Sequence, residues 1–417
     1  VRIRASGLTT ALVSLAGFVG CGSAPPAPVP NVEQSTFLAK AAATTSVADR
    51  FALGAEARVR AGLGWGYVAA IRENGVAGVK VAGNRTLEPV TKLSEQDLLD
   101  LGKVTEVFTG ILLERAELDG KLKLAELPVV RDELGLRVLL EKAYRENFKA
   151  IVEKRLLVPL GMRDSGVERR TRRRGKWISR VAPTFALDGD PVVGSGSAFS
   201  VSALDMAKFL TALENPPEGK LGQAITADLV SGRGWDAPAV VVPAPGVTPS
   251  PRLIASGPDA VLVFDRAAKK SIYVATNTRL KPRELAVFAV ESSDHDSVLG
   301  RALAARIPSS DELLAIKGAF HPSAPSGEGT LRTIDVFETL GHLVARYDFG
   351  DRKVGALLVA ATAENTWNVV DGIVDQDEIT VTKTGLRATL RFHGVGLAPV
   401  ELMKVAREAE KYPALEK

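Results

Sequence analysis

Three things are scarce in this 417-residue chain. It has one cysteine, which excludes an intramolecular disulfide and any multi-cysteine zinc site. Its four histidines all lie beyond residue 290, so most of the chain has no imidazole for acid–base or metal chemistry. Charge of one sign is scarce too: 53 basic against 49 acidic side chains leave +4, too little to argue for nucleic acid. No segment offers the ~18 consecutive apolar residues that a spanning helix needs. What is present is a 46% hydrophobic, 24% charged chain, which excludes a wholly disordered polymer. At roughly 150 residues per domain, the length implies two or three domains.

The first residues carry a compartment signal. Arg2 and Arg4 precede an uncharged stretch, Leu8 to Gly20, too short to cross a bilayer. It ends in Phe18-Val19-Gly20-Cys21, followed by Gly22 and Ser23. This pattern resembles a bacterial lipoprotein signal, residues 1–20, although Phe18 stands where leucine is usual. The resemblance implies cleavage before Cys21 and a lipid on its sulfur; the alternative is an ordinary signal peptide with a chance cysteine. Residues 24–30 hold four prolines, so residues 21–35 read as an extended tether. The expected location is the bacterial cell envelope, lipid-anchored on the periplasmic or extracellular face of a membrane.

Along the mature chain, Phe37 to Arg60 reads as an alanine-rich helix. Two apolar runs, Gly66 to Arg72 and Val76 to Val81, flank Glu73-Asn74-Gly75, a strong hairpin signal. Asp97 to Leu118, Leu134 to Val158 and Ser202 to Leu213 read as helices, the second stopped by Pro159. Val240 to Val242, Ala260 to Phe264 and Ser271 to Thr276 read as strands, and Glu284 to Ile307 as a closing helix. Beyond a boundary near 308–320 the pattern turns to β: Thr333 to Phe337, His342 to Phe349, Val354 to Ala360, Glu378 to Thr384 and Arg387 to Phe392.

Five segments in order resemble the serine β-lactamase and penicillin-binding-protein family. They are the hairpin "AAIRENGVAGVKVAG" from Ala69, "GKVTEVFTGILLERAELDGKLKLAE" from Gly102, and "AIVEKRLLVPLGMRDSGV" from Ala150. "GSGSAFSVSALDMAKFL" from Gly194 and "AVLVFDRAAKKSIYVATNTR" from Ala260 complete the set. The resemblance implies an α/β (α+β) fold: a β-lactamase- or transpeptidase-like antiparallel sheet flanked by helices, spanning residues 36–308, with a truncated helical lobe. A β-rich C-terminal domain, 315–417, similar to lipocalin-like or sandwich modules, is expected to follow.

The family's chemistry needs a serine with a lysine three residues later on one helix turn, so that the amine takes the hydroxyl proton. Aligned on "GKVTEVFTG", the serine position is Lys103 and the lysine position is Glu106. An ammonium beside a carboxylate stays charged and non-nucleophilic, so the two read as an ion pair in a degenerate site. The second motif falls near Pro128-Val129-Val130, and the third within Ser250 to Gly257; neither matches. No serine anywhere has lysine at +3. Thr278-Arg279-Leu280-Lys281 has the spacing but follows a strand, and Lys383-Thr384-Gly385 reads as a turn between strands. No catalytic residue, metal or cofactor is therefore expected: Asp294-His295-Asp296 reads as polar surface, Asp371, Asp375, Asp377 and Glu378 lack a calcium-loop pattern, and His342 and His393 read as structural.

One surface feature stands out. Arg169, Arg170, Arg172, Arg173, Arg174 and Lys176 concentrate six cations within eight residues of a nearly neutral chain. They read either as a solvated loop or as a contact for an anionic partner. The expected function is a catalytically inactive lipoprotein that binds peptidoglycan, another anionic envelope component or a protein, with membrane contact through its anchor and no nucleic acid. The alternatives are a surviving serine hydrolase of the penicillin-recognising class, and a ligand-binding role carried by the C-terminal β domain.

Overall fold

In the computed structural model the described residues are 32–126, 133–167, 170–173, 176–179, 181–185, 191–192, 199–232, 235, 252–257, 259–278, 282–290, 308–323, 331–339, 342–350, 353–360, 365–370, 378–382, 385–391 and 399–404. The proposed signal, Cys21 and nearly all of the tether lie outside them. So do Pro128 to Val130, Arg169, Arg174, Val240 to Val242, Asp294 to Asp296, Asp371, Asp375, Asp377 and His393.

The chain begins with helices α1 (Val32–Ala43) and α2 (Val47–Arg60). The single helix expected over Phe37 to Arg60 is divided because Ser46 is extended and its side chain accepts the Asp49 N–H, starting α2 afresh. Strands β1 (Gly66–Glu73) and β2 (Val76–Leu87) form the expected hairpin, turning through Asn74 and Gly75, both at positive φ. β3 (Val90–Lys92) pairs with β2 at the sheet edge.

The expected helix from Asp97 is corrected at its start. Leu98–Asp100 is strand β4, and a 3-10 turn, Gly102–Val104, leads into α3 (Thr105–Leu118). Leu98 and Leu99 pair with a later strand, and Gly102 takes φ +50°, a left-handed conformation that favours glycine. The long helix expected over Leu134 to Val158 is likewise split. α4 (Glu133–Tyr144) ends where Arg145 turns left-handed; α5 (Phe148–Val152), capped by Asn147, then runs into a π-helical turn, Glu153–Leu157.

Short pairs follow: β5 (Gly166–Val167), the hairpin β6 (Arg170–Arg173) and β7 (Lys176–Ser179), then β8 (Thr184–Phe185) and β9 (Pro191–Val192). β10 (Phe199–Ser202) sits between β4 and β5 in a three-stranded sheet. Ser202 caps α6 (Ala203–Glu214), and α7 (Lys220–Ser231) ends at left-handed Gly232. β11 (Arg252–Ser256), β12 (Ala260–Asp265) and β13 (Lys270–Thr276) complete a six-stranded antiparallel sheet ordered β11-β12-β13-β1-β2-β3.

Both faces of this sheet are covered, so β1 and β12 are buried almost throughout. Val68, Ala70, Leu253, Ala255, Leu262 and Tyr273 face a large core built with α3 to α7. The alternate residues, Tyr67, Ala69, Ile71, Val261, Val263 and Ile272, face a second core under α1, α2 and α8 (Arg283–Val290). Period-two alternation thus feeds two cores from one set of strands. Gly54 lets α2 approach α8: a Cβ there would stand 2.7 Å from Leu285.

Beyond α9 (Ser310–Ile316), the C-terminal β region is a closed eight-stranded antiparallel barrel. Its strands are β14 (Gly318–Pro322), β15 (Thr333–Thr339), β16 (His342–Asp348), β17 (Lys353–Ala360), β18 (Thr366–Val370), β19 (Glu378–Val381), β20 (Arg387–Arg391) and β21 (Val400–Lys404). β21 pairs back onto β14, which removes every free edge. Facing pairs Ile334–Tyr347, Ala345–Ala356, Leu358–Val369, Trp367–Ile379 and Ile379–Leu390 belong to one contiguous interior cluster. An eight-stranded barrel is just wide enough for side chains to fill. α9 lies across one mouth: Glu312 accepts the Asn365 N–H, and Lys404 donates to the Leu314 and Ala315 carbonyls. Lys383 and Thr384 lie outside the described residues, but Gly385 at φ +69° donates to the Thr382 carbonyl, the turn expected there.

Candidate functional site

The start of α3 is held from three sides. Leu101 donates its N–H to the Phe199 carbonyl, and Gly102 donates to Asp100 Oδ1 at 3.0 Å. Val104, Val107, Phe108 and Ile111 are buried in the larger core, where Phe108 stacks on Phe209 with ring centroids 4.4 Å apart. The 3-10 turn itself packs against β11 and β12. Hydrophobic spacing down α3 therefore fixes where residues 103 and 106 stand.

Lys103 is exposed on that turn, and Glu106, three residues on, is half-buried in the first turn of α3. Opposite them is the end of β11. A Cβ on Gly257 would stand 3.1 Å from both the Cβ and the backbone nitrogen of Lys103. Gly257 thus lets the strand end close on the helix start, across 154 residues of sequence. The segment in which no third motif was found, Ser250 to Gly257, is the one whose end lies beside Lys103.

Acidic groups gather around the same turn. Asp259 is 1% exposed, in the turn between β11 and β12, and its carbonyl accepts the Thr276 N–H. Tyr273, fully buried on the same sheet face, has its pKa pushed up by burial and then by Asp100 and Asp259. Its phenol is therefore held protonated and cannot serve as a base. Asp100 and Glu106 stand three residues before and after Lys103, and Asp259 follows Gly257 by two. A carboxylate in the first turn also suits the helix dipole.

Hydroxyl nucleophiles are poorly placed. Thr105 is buried, and Thr109 donates its hydroxyl to the Thr105 carbonyl. Ser256 alternates with Ala255 and Gly257, so its side chain leaves the strand on the face away from Lys103. Thr278, the start of the Thr-x-x-Lys spacing, is buried, and its Oγ1 accepts the Trp65 N–H at 2.8 Å. Among the described residues, no group of three His, Cys, Asp or Glu side chains could hold a metal ion. No described helix is long and apolar enough to cross a membrane.

Of the cationic stretch, Arg170, Arg172, Arg173 and Lys176 lie in the β6–β7 hairpin, where Arg173 pairs with Lys176 and Arg172 with Trp177. The backbone there is a two-stranded ladder. Alternating Arg-Thr-Arg with Trp-Ile-Ser was the available strand signal. Sequence reasoning placed Gly257 in the third-motif segment without giving it a role, and gave none to Asp259 or Tyr273.

No family model matches the chain, and no curated protein matches it. Solved structures do. A class C β-lactamase is 15% identical, with a TM-score of 0.48 over 60% of this chain and 97% of that one. The D-alanine carboxypeptidase AmpC of Burkholderia cenocepacia is 15% identical, with a TM-score of 0.47 over 58% and 98%. The octameric penicillin-binding protein homologue of Pyrococcus abyssi is 14% identical, with a TM-score of 0.43 over 83% and 97%.

Proposed function

We propose that the chain is a lipid-anchored, non-acylating protein of the β-lactamase and penicillin-binding-protein type, which binds an anionic envelope component or a protein partner. The observation that carries this reading is the start of α3. A lysine stands at the turn facing Gly257, a glutamate stands three residues on, and the nearby hydroxyls are buried or turned away. An ammonium among carboxylates neither attacks a carbonyl nor accepts a hydroxyl proton. The cationic β6–β7 hairpin supplies the partner-facing charge in this reading, and Cys21 supplies the anchor.

The test is covalent labelling. The chain without its anchor cysteine, residues 22–417, is incubated with a fluorescent penicillin and with a fluorophosphonate, and its intact mass is measured. An unchanged mass with both reagents is the expected result. One acyl or phosphonyl adduct overturns the reading in favour of a surviving serine hydrolase, and peptide mapping then locates the nucleophile. Co-sedimentation with purified peptidoglycan tests the binding half: retention should fall as salt rises and fall further when Arg170, Arg172 and Arg173 become glutamine.

A further inference from the structure

A second concavity lies at the far end of β12 from Gly257. Five residue steps of ~3.3 Å, from Ala260 to Asp265, separate them by roughly 17 Å. The C-terminal end of α6, the later turns of α7 and the β12–β13 turn enclose a cavity of about 520 Å³. That volume falls within the range of small-molecule sites. Its apolar surface comes from Leu213, Leu229 and Phe264, with Val230 standing 65% exposed at its lip.

The charges around the cavity are unevenly satisfied. Glu214 is bound by Arg72, in an ion pair that ties α6 to β1. Asp265 accepts from Arg252 at 3.1 Å and from the Ala268 N–H at 2.8 Å. Both carboxylates that line the cavity are therefore engaged elsewhere. Two cations line it as well. Arg266 is half-buried and spends one N–H on the Leu229 carbonyl; burial lowers its pKa, with no carboxylate opposing. Lys269 is exposed in the turn at φ +50°. Among the described residues, neither cation has a carboxylate partner.

An apolar floor with two uncompensated cations on one wall selects a ligand with one apolar group and one anion. A planar guanidinium beside an ammonium suits a carboxylate, which accepts two parallel N–H donors. We infer that this cleft binds a small amphipathic carboxylate, with its anion on Arg266 and Lys269 and its apolar part over Leu213, Leu229 and Phe264. The site is separate from the turn at Lys103 and does not depend on whether that turn is catalytic.

The experiment titrates the whole chain with dansyl-L-leucine and follows dansyl emission and anisotropy, with dansyl-L-leucinamide as the uncharged control. Saturable binding of the acid is expected, at least tenfold tighter than that of the amide. Lys269→Gln should weaken it three- to tenfold. Val230→Glu, which places a negative charge at the lip, should weaken it more than tenfold; neither exposed change should alter the melting temperature. Lys103→Gln should leave binding unchanged. No saturation below millimolar ligand overturns the inference. So does equal affinity for the amide, or binding that survives both cleft substitutions.

Discussion

The sheet-and-helix body and the barrel solve burial in opposite ways. The body's sheet is open, and helices cover both faces, so strands such as β12 are buried at every position. The barrel's sheet closes on itself, so β19 alternates half-buried with buried and one interior cluster suffices. Both sites of interest lie at the ends of one interior strand of the open sheet: Lys103 against Gly257 at one end of β12, the Arg266 cleft at the other. The described part of the barrel interior is filled by Trp367, Tyr347, Phe320 and their neighbours.

The largest effects should come from emptying either core. Phe108→Ala removes the ring that stacks on Phe209 and packs 5.2 Å from Phe199, and Trp367→Ala removes the largest interior side chain of the barrel. Each should cost about 3–5 kcal/mol. Hydrogen exchange sharpens the comparison. Phe108→Ala should raise exchange in residues 66–118 and 199–231 and leave 331–404 unchanged; Trp367→Ala should do the reverse. Protection lost across the whole chain in both variants would mean that body and barrel unfold as one unit.

Particular residues show why the sequence was readable in some places and opaque in others. The β1–β2 hairpin and the β12–β13 pair were legible because apolar runs flank polar turns, Asn74-Gly75 in the first and Asp265 to Lys270 in the second. The five barrel strands with dense β-formers were also legible. β14 and β21 were not, since "GAFHP" and "VELMK" become strands through partners and meet each other only on closure, whereas "TWNVV" of β18 carried its β-formers and was overlooked. Leu98 to Asp100 read as helix because three residues cannot show a period; pairing with β10, a hundred residues away, made them a strand. Lys103 and Glu106 were placed by the resemblance of "GKVTEVFTG" to the family's catalytic helix. Gly257 fell in the segment read for the third motif, but its approach to Lys103 was not legible, because only the fold brings the two together.

A medium-sized effect lies at the connector. Ser309 and Glu312 form a reciprocal capping box at the start of α9, and Glu312 also accepts the Asn365 N–H from the barrel. Ser309→Ala should cost about 1 kcal/mol through the lost cap alone. Glu312→Ala should cost more, because it also strands a backbone donor at the barrel mouth. Equal losses in urea denaturation would show that α9 is a linker and not a lid on the barrel.

The smallest effect concerns the seam between the two regions. His342, at the start of β16, lies against the body: a Cβ on Gly62 would stand 2.6 Å from its ring, and Trp65 is 6.3 Å away, centroid to centroid. Burial lowers its pKa, so the folded chain favours neutral imidazole. On acidification the unfolded chain takes up that proton first, near the ordinary histidine value of about 6.5. The folded chain takes it up only at lower pH. Stability is then fully present above that value and declines as pH falls from it towards the folded pKa, with a slope of at most one proton. His342→Gln should flatten that window in urea titrations and leave the dependence at lower pH, which carboxylates dominate, unchanged. A window that persists in His342→Gln would mean that the seam is not where body and barrel differ in their response to acid.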